Sequence, residues 1–269
     1  MKYKILVLDI DGTLTNSAKE ITPRTLSTLE RAQREGVKIV LASGRPTYGI
    51  VPLAKQLGMD RFGGYILAFN GGKIIDAATM QTLYAQNLPQ EIVPELYAAA
   101  SEAQAVILSY RGENIITEQP ADQYVAYESH LTKMPAVGVD SFCEAIDFDP
   151  DKCLIVGEAE RLVPLAEQFN ERYADTLSAY RSEPFFLEVV PRGIDKALSL
   201  ERLLATLGVS KAEMVAVGDG YNDLSMIRFA GLGVAMANAQ MEVKEAADYI
   251  TDSNEEDGVA SLVEKVILV

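Results

Sequence analysis

The chain of 269 residues predicts an α/β fold: a doubly wound, mostly parallel sheet with a second α+β domain inserted into it. Three observations carry this. Short, wholly apolar runs such as Ile5-Leu6-Val7-Leu8 have the pattern of strands buried on both faces. These runs alternate with stretches of helical spacing, as in βαβ units. The alternation breaks into hairpin-like segments after residue 73 and resumes after residue 195, so the first domain reads as interrupted.

In order, residues 5–8 predict the first strand, ending in Asp9-Ile10-Asp11-Gly12-Thr13. Residues 23–35 have helical spacing, with Leu26, Leu29 and Ala32 on one face, Thr22 as N-cap, Pro23 at the first helical position and Gly36 beyond the end. A second strand over 37–42 stops at Ser43-Gly44-Arg45-Pro46, and a helix over 47–57 is closed by Gly58. A third strand over 65–69 ends at Asn70-Gly71-Gly72. Then come a hairpin over 73–76 and 82–85, a helix over 89–103, strands over 105–110 and 115–118, a helical patch over 121–130, a strand and helix over 152–157 and 159–173, and two strands over 177–181 and 185–190. The opening pattern returns with an amphipathic helix over 195–207 and a buried strand over 214–217, which runs into Gly218-Asp219-Gly220-Tyr221-Asn222-Asp223. Helices over 224–229, 241–247 and 258–266 and strands over 233–236 and 249–251 complete the chain. The expected domains are residues 1–83 and 190–269 for the main sheet and 84–189 for the insertion.

Bulk properties narrow the function. A net charge of −15 repels nucleic acid and anionic membranes, so neither is an expected partner. Any anion site therefore needs locally placed Lys or Arg. Two cysteines give no disulfide scaffold or zinc site, and one histidine, His130, makes Ser-His-Asp catalysis a poor expectation. No leader pattern or membrane-length apolar stretch is seen, so a cytoplasmic location is expected.

Residues two apart on a strand point the same way, so Asp9 and Asp11 would sit together at the end of an open sheet where ligands bind. By themselves they read equally well as an acidic turn. If the strand before Asp219 is a neighbour, three or four carboxylates converge. Two such charges about 5 Å apart repel by roughly 3 kcal/mol at an effective dielectric of about 20, so the cluster calls for a cation or a shared proton. An all-oxygen donor set favours a hard ion, and Mg²⁺ suits a site completed by water and phosphate. Ser43 and Gly44, at what reads as a helix entrance, offer a hydroxyl and N–H groups for a phosphate, although an N-cap serine explains Ser43 as well. Lys196 gains weight only from standing in this set.

Taken together, the motifs Asp9-Ile-Asp11-Gly-Thr13, Ser43 before Gly-Arg-Pro, Lys196 after Gly-Ile-Asp, and Gly218-Asp219-Gly-Tyr-Asn222-Asp223 resemble, in order, those of haloacid-dehalogenase-superfamily phosphatases. Within that superfamily the chain is similar to the Cof-type (type IIB) sugar-phosphate phosphatases, whose α/β cap lies between the second and third motifs. The resemblance implies a Mg²⁺-dependent hydrolase acting on a small phosphorylated metabolite through an aspartyl phosphate. It implies Asp9 as nucleophile, Asp11 as acid and base with a pKa above that of free Asp, and a metal held by the Asp9 side chain, the Asp11 carbonyl and Asp219. Ser43, Gly44 and Asn222 would hold phosphoryl oxygens, Lys196 would neutralise charge and restrain Asp9, and Asp223 would orient Lys196 or a metal-bound water. Arg45 and Asn70 would touch substrate or serve as structural hydrogen bonders. Asp195 and Ala197 depart from the Ser and Gly more usual beside the lysine, without touching a reacting group. A phosphomutase for hexose phosphates shares these motifs; a non-catalytic receiver module fits less well, because it has no inserted cap. A monomer or weak homo-oligomer is expected.

In the insertion, Tyr180, Arg181, Ser182 and Glu183 read as substrate-facing or as a solvated turn. Phe185 and Phe186 read as core, and His130 and Cys153 as structural.

Overall fold

The structure, a computed structural model, describes residues 2–269. The chain forms two compact units, one made of residues up to Tyr84 together with Asp195–Val269, the other of Ala85–Ile194. In chain order the strands are β1 (Ile5–Leu8), β2 (Lys38–Ala42), β3 (Gly64–Ala68), β4 (Lys73–Asp76), β5 (Thr82–Ala85), β6 (Val106–Arg111), β7 (Asn114–Thr117), β8 (Ala136–Gly138), β9 (Cys153–Val156), β10 (Leu177–Glu183), β11 (Phe186–Pro191), β12 (Met214–Gly218), β13 (Leu232–Ala235) and β14 (Tyr249–Ile250).

The first unit is an eight-stranded sheet in the order β14-β13-β12-β1-β2-β3-β4-β5. From β14 to β3 every pairing is parallel; β4 turns back antiparallel on β3. β1 is central, and all four of its residues are buried. Its register aligns Leu8 with both Leu41 and Val217, which brings the residues after β1, β2 and β12 to one edge. The helix Pro23–Arg34 starts as the sequence dictates: Thr22 accepts from the Thr25 N–H at 3.2 Å, and Pro23 supplies the fixed φ of a first turn. Leu29 and Ala32 are buried, while Leu26 is only half-buried. Gly36 takes the left-handed conformation, φ +96°, that lets the chain turn out of this helix into β2.

The second unit is a six-stranded sheet in the order β10-β11-β9-β6-β7-β8, antiparallel except between β7 and β8. Ile107, Ile155, Leu187 and Val189 pack with Leu96, Phe142, Leu165 and Phe169 of the helices Val93–Glu102, Phe142–Ala145 and Ala159–Arg172. Side chains alternate along a strand, so Tyr110 and Glu188 lie on the opposite face. There Tyr110 donates to Glu128 at 2.6 Å, and the buried Lys152 donates to Glu188 at 2.7 Å. The unit ends after β11, its border falling between Ile194 and Asp195.

The sequence pattern missed two elements here, β8 and the one-turn helix Phe142–Ala145. At three and four residues, neither is long enough to display a period. The last helix also differs: Gly258–Leu262 passes into a wider π-type turn over Val263–Ile267. Phe186 is core, whereas Phe185 is half-buried and stacks on Tyr124 at 5.1 Å. Cys153 is buried in the sheet, which pushes its thiol up to about 12, and His130 is exposed. Among the described residues no helix is long and apolar enough to cross a membrane.

Phe169 is 1% exposed within the second unit's close-packed core. Phe169→Ala is expected to lower the unfolding free energy by about 3–5 kcal/mol in urea titrations. A loss below about 1 kcal/mol would show that the packing is looser than described.

Candidate active site at the edge of the parallel sheet

Asp9 leaves β1 with its N–H bonded to the Val217 carbonyl at 3.0 Å, so sheet register alone fixes its position beside β12. Lys196 opens the helix Lys196–Leu207. Asp195 caps that helix, accepting from the Ala197 and Leu198 N–H groups at 2.8 and 3.1 Å. The Lys196 side chain is buried and donates to Asp9 Oδ1 at 2.8 Å, the Ala42 carbonyl at 2.8 Å and Asp223 Oδ1 at 2.6 Å. All three protons of the ammonium are thereby used. The other oxygen of Asp223 accepts from the Asp219 and Gly220 N–H groups at 3.0 Å each, folding the loop after β12 onto itself.

Asp219 faces this pair. Thr13 Oγ1 donates to its Oδ1 at 2.9 Å, and its carboxylate lies against Gly12, where a Cβ would stand 2.3 Å from Oδ2. Gly12 has φ +84°, so both the turn and the close approach require glycine. Oxygens of Asp9, Asp219 and Asp223 lie within 4.8 Å of one another. Three carboxylates against one ammonium leave an excess negative charge that suits a divalent cation. The donors are all oxygen, the chemistry of a hard ion. Asp223 accepts hydrogen bonds on both oxygens, whereas Asp9 accepts on Oδ1 from Lys196 and Asp219 on Oδ1 from Thr13.

Burial is the largest influence on Asp9 and pushes its carboxyl up to about 8; Asp223 adds to the rise and Lys196 opposes it. Burial likewise raises Asp219 to about 6, against the hydrogen bond from Thr13. Lys196 is pulled down by burial, but Asp223 and Asp9 outweigh that and raise it above the ordinary lysine value.

Asp11 behaves differently from its expectation. Its side chain is not in the carboxylate group: Arg45 Nε and Nη2 donate to its two oxygens at 2.7 Å each, and Lys19 adds a third bond at 2.7 Å. Burial works to raise its pKa, but Arg45 and Lys19 outweigh burial and hold it below the ordinary value. Asp11 thus lies below the ordinary carboxylate value where an upward shift was expected, and Arg45, read as a substrate contact or a structural hydrogen bonder, here bonds Asp11.

Ser43 is also not a helix cap. The helix Thr47–Gln56 begins four residues later behind Pro46, with no side-chain cap. Buried Ser43 instead accepts from the Arg45 N–H at 3.1 Å and its carbonyl accepts from the Asn70 N–H at 2.8 Å. Gly44 packs under the Asn70 side chain, whose Oδ1 accepts from Asn222 Nδ2 at 3.1 Å. Ser43, Gly44, Asn70 and Asn222 thus form one polar wall along the same edge. Sequence reading missed Asn238 and Asn254, which bond the backbone of the first loop at Gly12 and Thr15. The contacts span 226 and 239 residues, and no local motif marks them.

The edge of the doubly wound sheet thus carries a lysine-bridged pair of carboxylates beside a third, an all-oxygen group that could hold a metal ion. The haloacid dehalogenase-like hydrolase model matches residues 6–263, and the chain belongs to this family and to its phosphatases. It is similar to a Bacillus subtilis protein named "Putative phosphatase YxeH", at 33% identity over 99% of each chain. A haloacid dehalogenase-like hydrolase from Bacteroides thetaiotaomicron superposes with a TM-score of 0.96 at 53% identity, covering 98% of this chain and all of that one. The subclass IIB sugar phosphatase BT4131 superposes with a TM-score of 0.81 at 28% identity, over 99% and 100% of the two chains.

Removing the ammonium while keeping an apolar side chain of similar length isolates its charge. Lys196→Met is expected to cost about 3–5 kcal/mol in denaturant unfolding, because it leaves two buried carboxylates facing each other. Unchanged stability would mean that the pair is already neutralised some other way.

Proposed function

We propose that the chain hydrolyses a small phosphomonoester, of the sugar-phosphate class, by way of a phosphoryl group carried on Asp9. The observation that carries this reading is the Lys196 bridge. It holds Asp9 through Oδ1, within a group whose carboxylate oxygens lie within 4.8 Å of one another. The similarity to a sugar phosphatase supports the substrate class.

In the first step an Asp9 oxygen attacks phosphorus, the bond to the leaving oxygen breaks, and Asp11 gives its proton to that oxygen. In the second, water attacks the phosphorus, Asp11 takes a proton from it, and the bond to Asp9 breaks to release inorganic phosphate. Splitting one displacement into two and supplying a positioned acid and base are established sources of acceleration, the latter contributing about 10²–10⁴-fold. Lys196 neutralises charge at Asp9 throughout, while Ser43, Gly44 and Asn222 supply donors for the phosphoryl oxygens. Asp9 and Asp219, with the Asp11 carbonyl, would hold Mg²⁺, which when bound neutralises phosphoryl charge. To carry its proton, Asp11 must release Arg45 and Lys19. Both cations then stand free for an anionic substrate, which reconciles the observed grip with the expected substrate contact.

The test is phosphate release from a panel of hexose and pentose phosphates, phosphorylated cofactors and nucleotides. Wild-type protein is expected to release phosphate with Mg²⁺, to stop in excess EDTA and to recover when Mg²⁺ is restored. Asp9→Asn is expected to abolish turnover with its thermal midpoint retained. Appreciable turnover by Asp9→Asn would rule out the covalent route. A hexose phosphate returned as its isomer would instead mark a mutase.

A further inference from the structure

The loop after β13 bears on this reading in a way that none of the four strand-end motifs contains. Between Met236 and Gln240 it touches both acidic loops. The Met236 N–H donates to the Gly218 carbonyl at 3.1 Å, and the Gln240 N–H donates to the Asp219 carbonyl at 3.0 Å. Between them, Asn238 Nδ2 reaches across to the Gly12 carbonyl at 2.8 Å. The same side chain accepts from the Asn254 N–H at 3.1 Å, and Asn254 Nδ2 donates to the Thr15 carbonyl at 3.0 Å. The amide of Asn238 is thus fixed at both ends, and flipping it would break both bonds.

Gly12 explains why such a bracket is needed. The Asp219 carboxylate leaves no room for a side chain at residue 12, so the loop between Asp11 and Thr13 is built on the most mobile of residues. The loop's own bonds, from the Thr13, Leu14 and Thr15 N–H groups, reach the carbonyls of Asp9 and Ile10 and leave the Gly12 carbonyl to Asn238. Rotation of the Gly12–Thr13 peptide would displace Asp11 on one side and, on the other, the Thr13 hydroxyl that steadies Asp219. We propose that Asn238 is a positioning residue that locks this peptide and so sets Asp11 and Asp219 for reaction. The proposal rests on the phosphatase reading above, with Asn254 as the anchor for Asn238.

The experiment compares Asn238→Ala, Asn238→Asp and Asn254→Ala with wild type. Initial rates are measured with p-nitrophenyl phosphate, and hydrogen exchange is followed at the amides of residues 11–15. Misplacing a reacting group by a fraction of an ångström lowers the chemical step more than substrate binding. Asn238→Ala is therefore expected to lose about 10-fold to 10²-fold in kcat with KM within about threefold. Asn238→Asp should fall further, because its carboxylate keeps the shape but opposes the Gly12 carbonyl with no proton to donate. Asn254→Ala should fall in the same direction by less. Exchange at the Thr13 amide should quicken in Asn238→Ala at an unchanged thermal midpoint.

A merely structural role would lower the midpoint and leave the kcat of the folded protein intact, which would overturn the proposal. So would unaltered exchange together with kcat within about twofold of wild type, or an Asp variant better than the Ala variant. Wild-type protein that releases no phosphate would overturn the phosphatase reading instead. The exchange measurement still decides whether Asn238 locks the loop.

Discussion

Everything at the reactive edge depends on one buried ammonium. Lys196 is almost fully enclosed, and an enclosed charge is tolerable only when every proton finds an acceptor and the net charge around it is compensated. Its three acceptors come from the ends of three adjacent strands: Asp9 after β1, Ala42 closing β2, and Asp223 in the loop after β12. Those ends meet only because the parallel register aligns Leu8 with Leu41 and Val217. Register, helix start and ion pair are thus one constraint. Asp195 places the first turn of the helix, the first turn places Lys196, and Lys196 fixes which oxygen of Asp9 is left available.

The same constraint produces the site's charge imbalance. Lys196 satisfies Asp9 and Asp223 but not Asp219, which is held by Thr13 and pressed against Gly12. Asp223 spends its remaining oxygen on two backbone N–H groups and so shapes the loop. Oxygens of Asp9 and Asp219 stand together there, a donor set that would suit a hard cation.

The strand-end residues were legible in the sequence because the signals that mark them are local. An apolar run followed by Asp, Ser, Asn or Gly-Asp reads as a buried strand meeting a loop, and parallel strands put such loops on one edge. Asp9, Lys196, Asp219 and Asp223 came together on that logic. Asn238 and Asn254 stayed invisible because each is an ordinary polar loop residue whose partner lies more than 200 residues away. For Ser43 the alternative of a helix cap falls away, because the helix begins only at Thr47 behind Pro46. Strand β8 and the helix Phe142–Ala145 escaped because one turn or three residues carry no periodicity.

Asp11 was misjudged on charge rather than on place, and the reason is physical. Spacing brings Asp9 and Asp11 to the same strand end, yet their surroundings push them in opposite directions. Burial holds Asp9 up to about 8, and two cations hold Asp11 down. The proposed reaction needs the reverse, an ionised Asp9 and a protonated Asp11. Lys19 is exposed, whereas Arg45 is largely enclosed and also donates to the Gly49 carbonyl at 3.3 Å, so in the proposed reaction a phosphate dianion would have to draw both from Asp11. Once released, Asp11 keeps the burial that favours its neutral form. In the proposed reaction, the charge of an incoming phosphate would thereby free Asp11 to act as the acid.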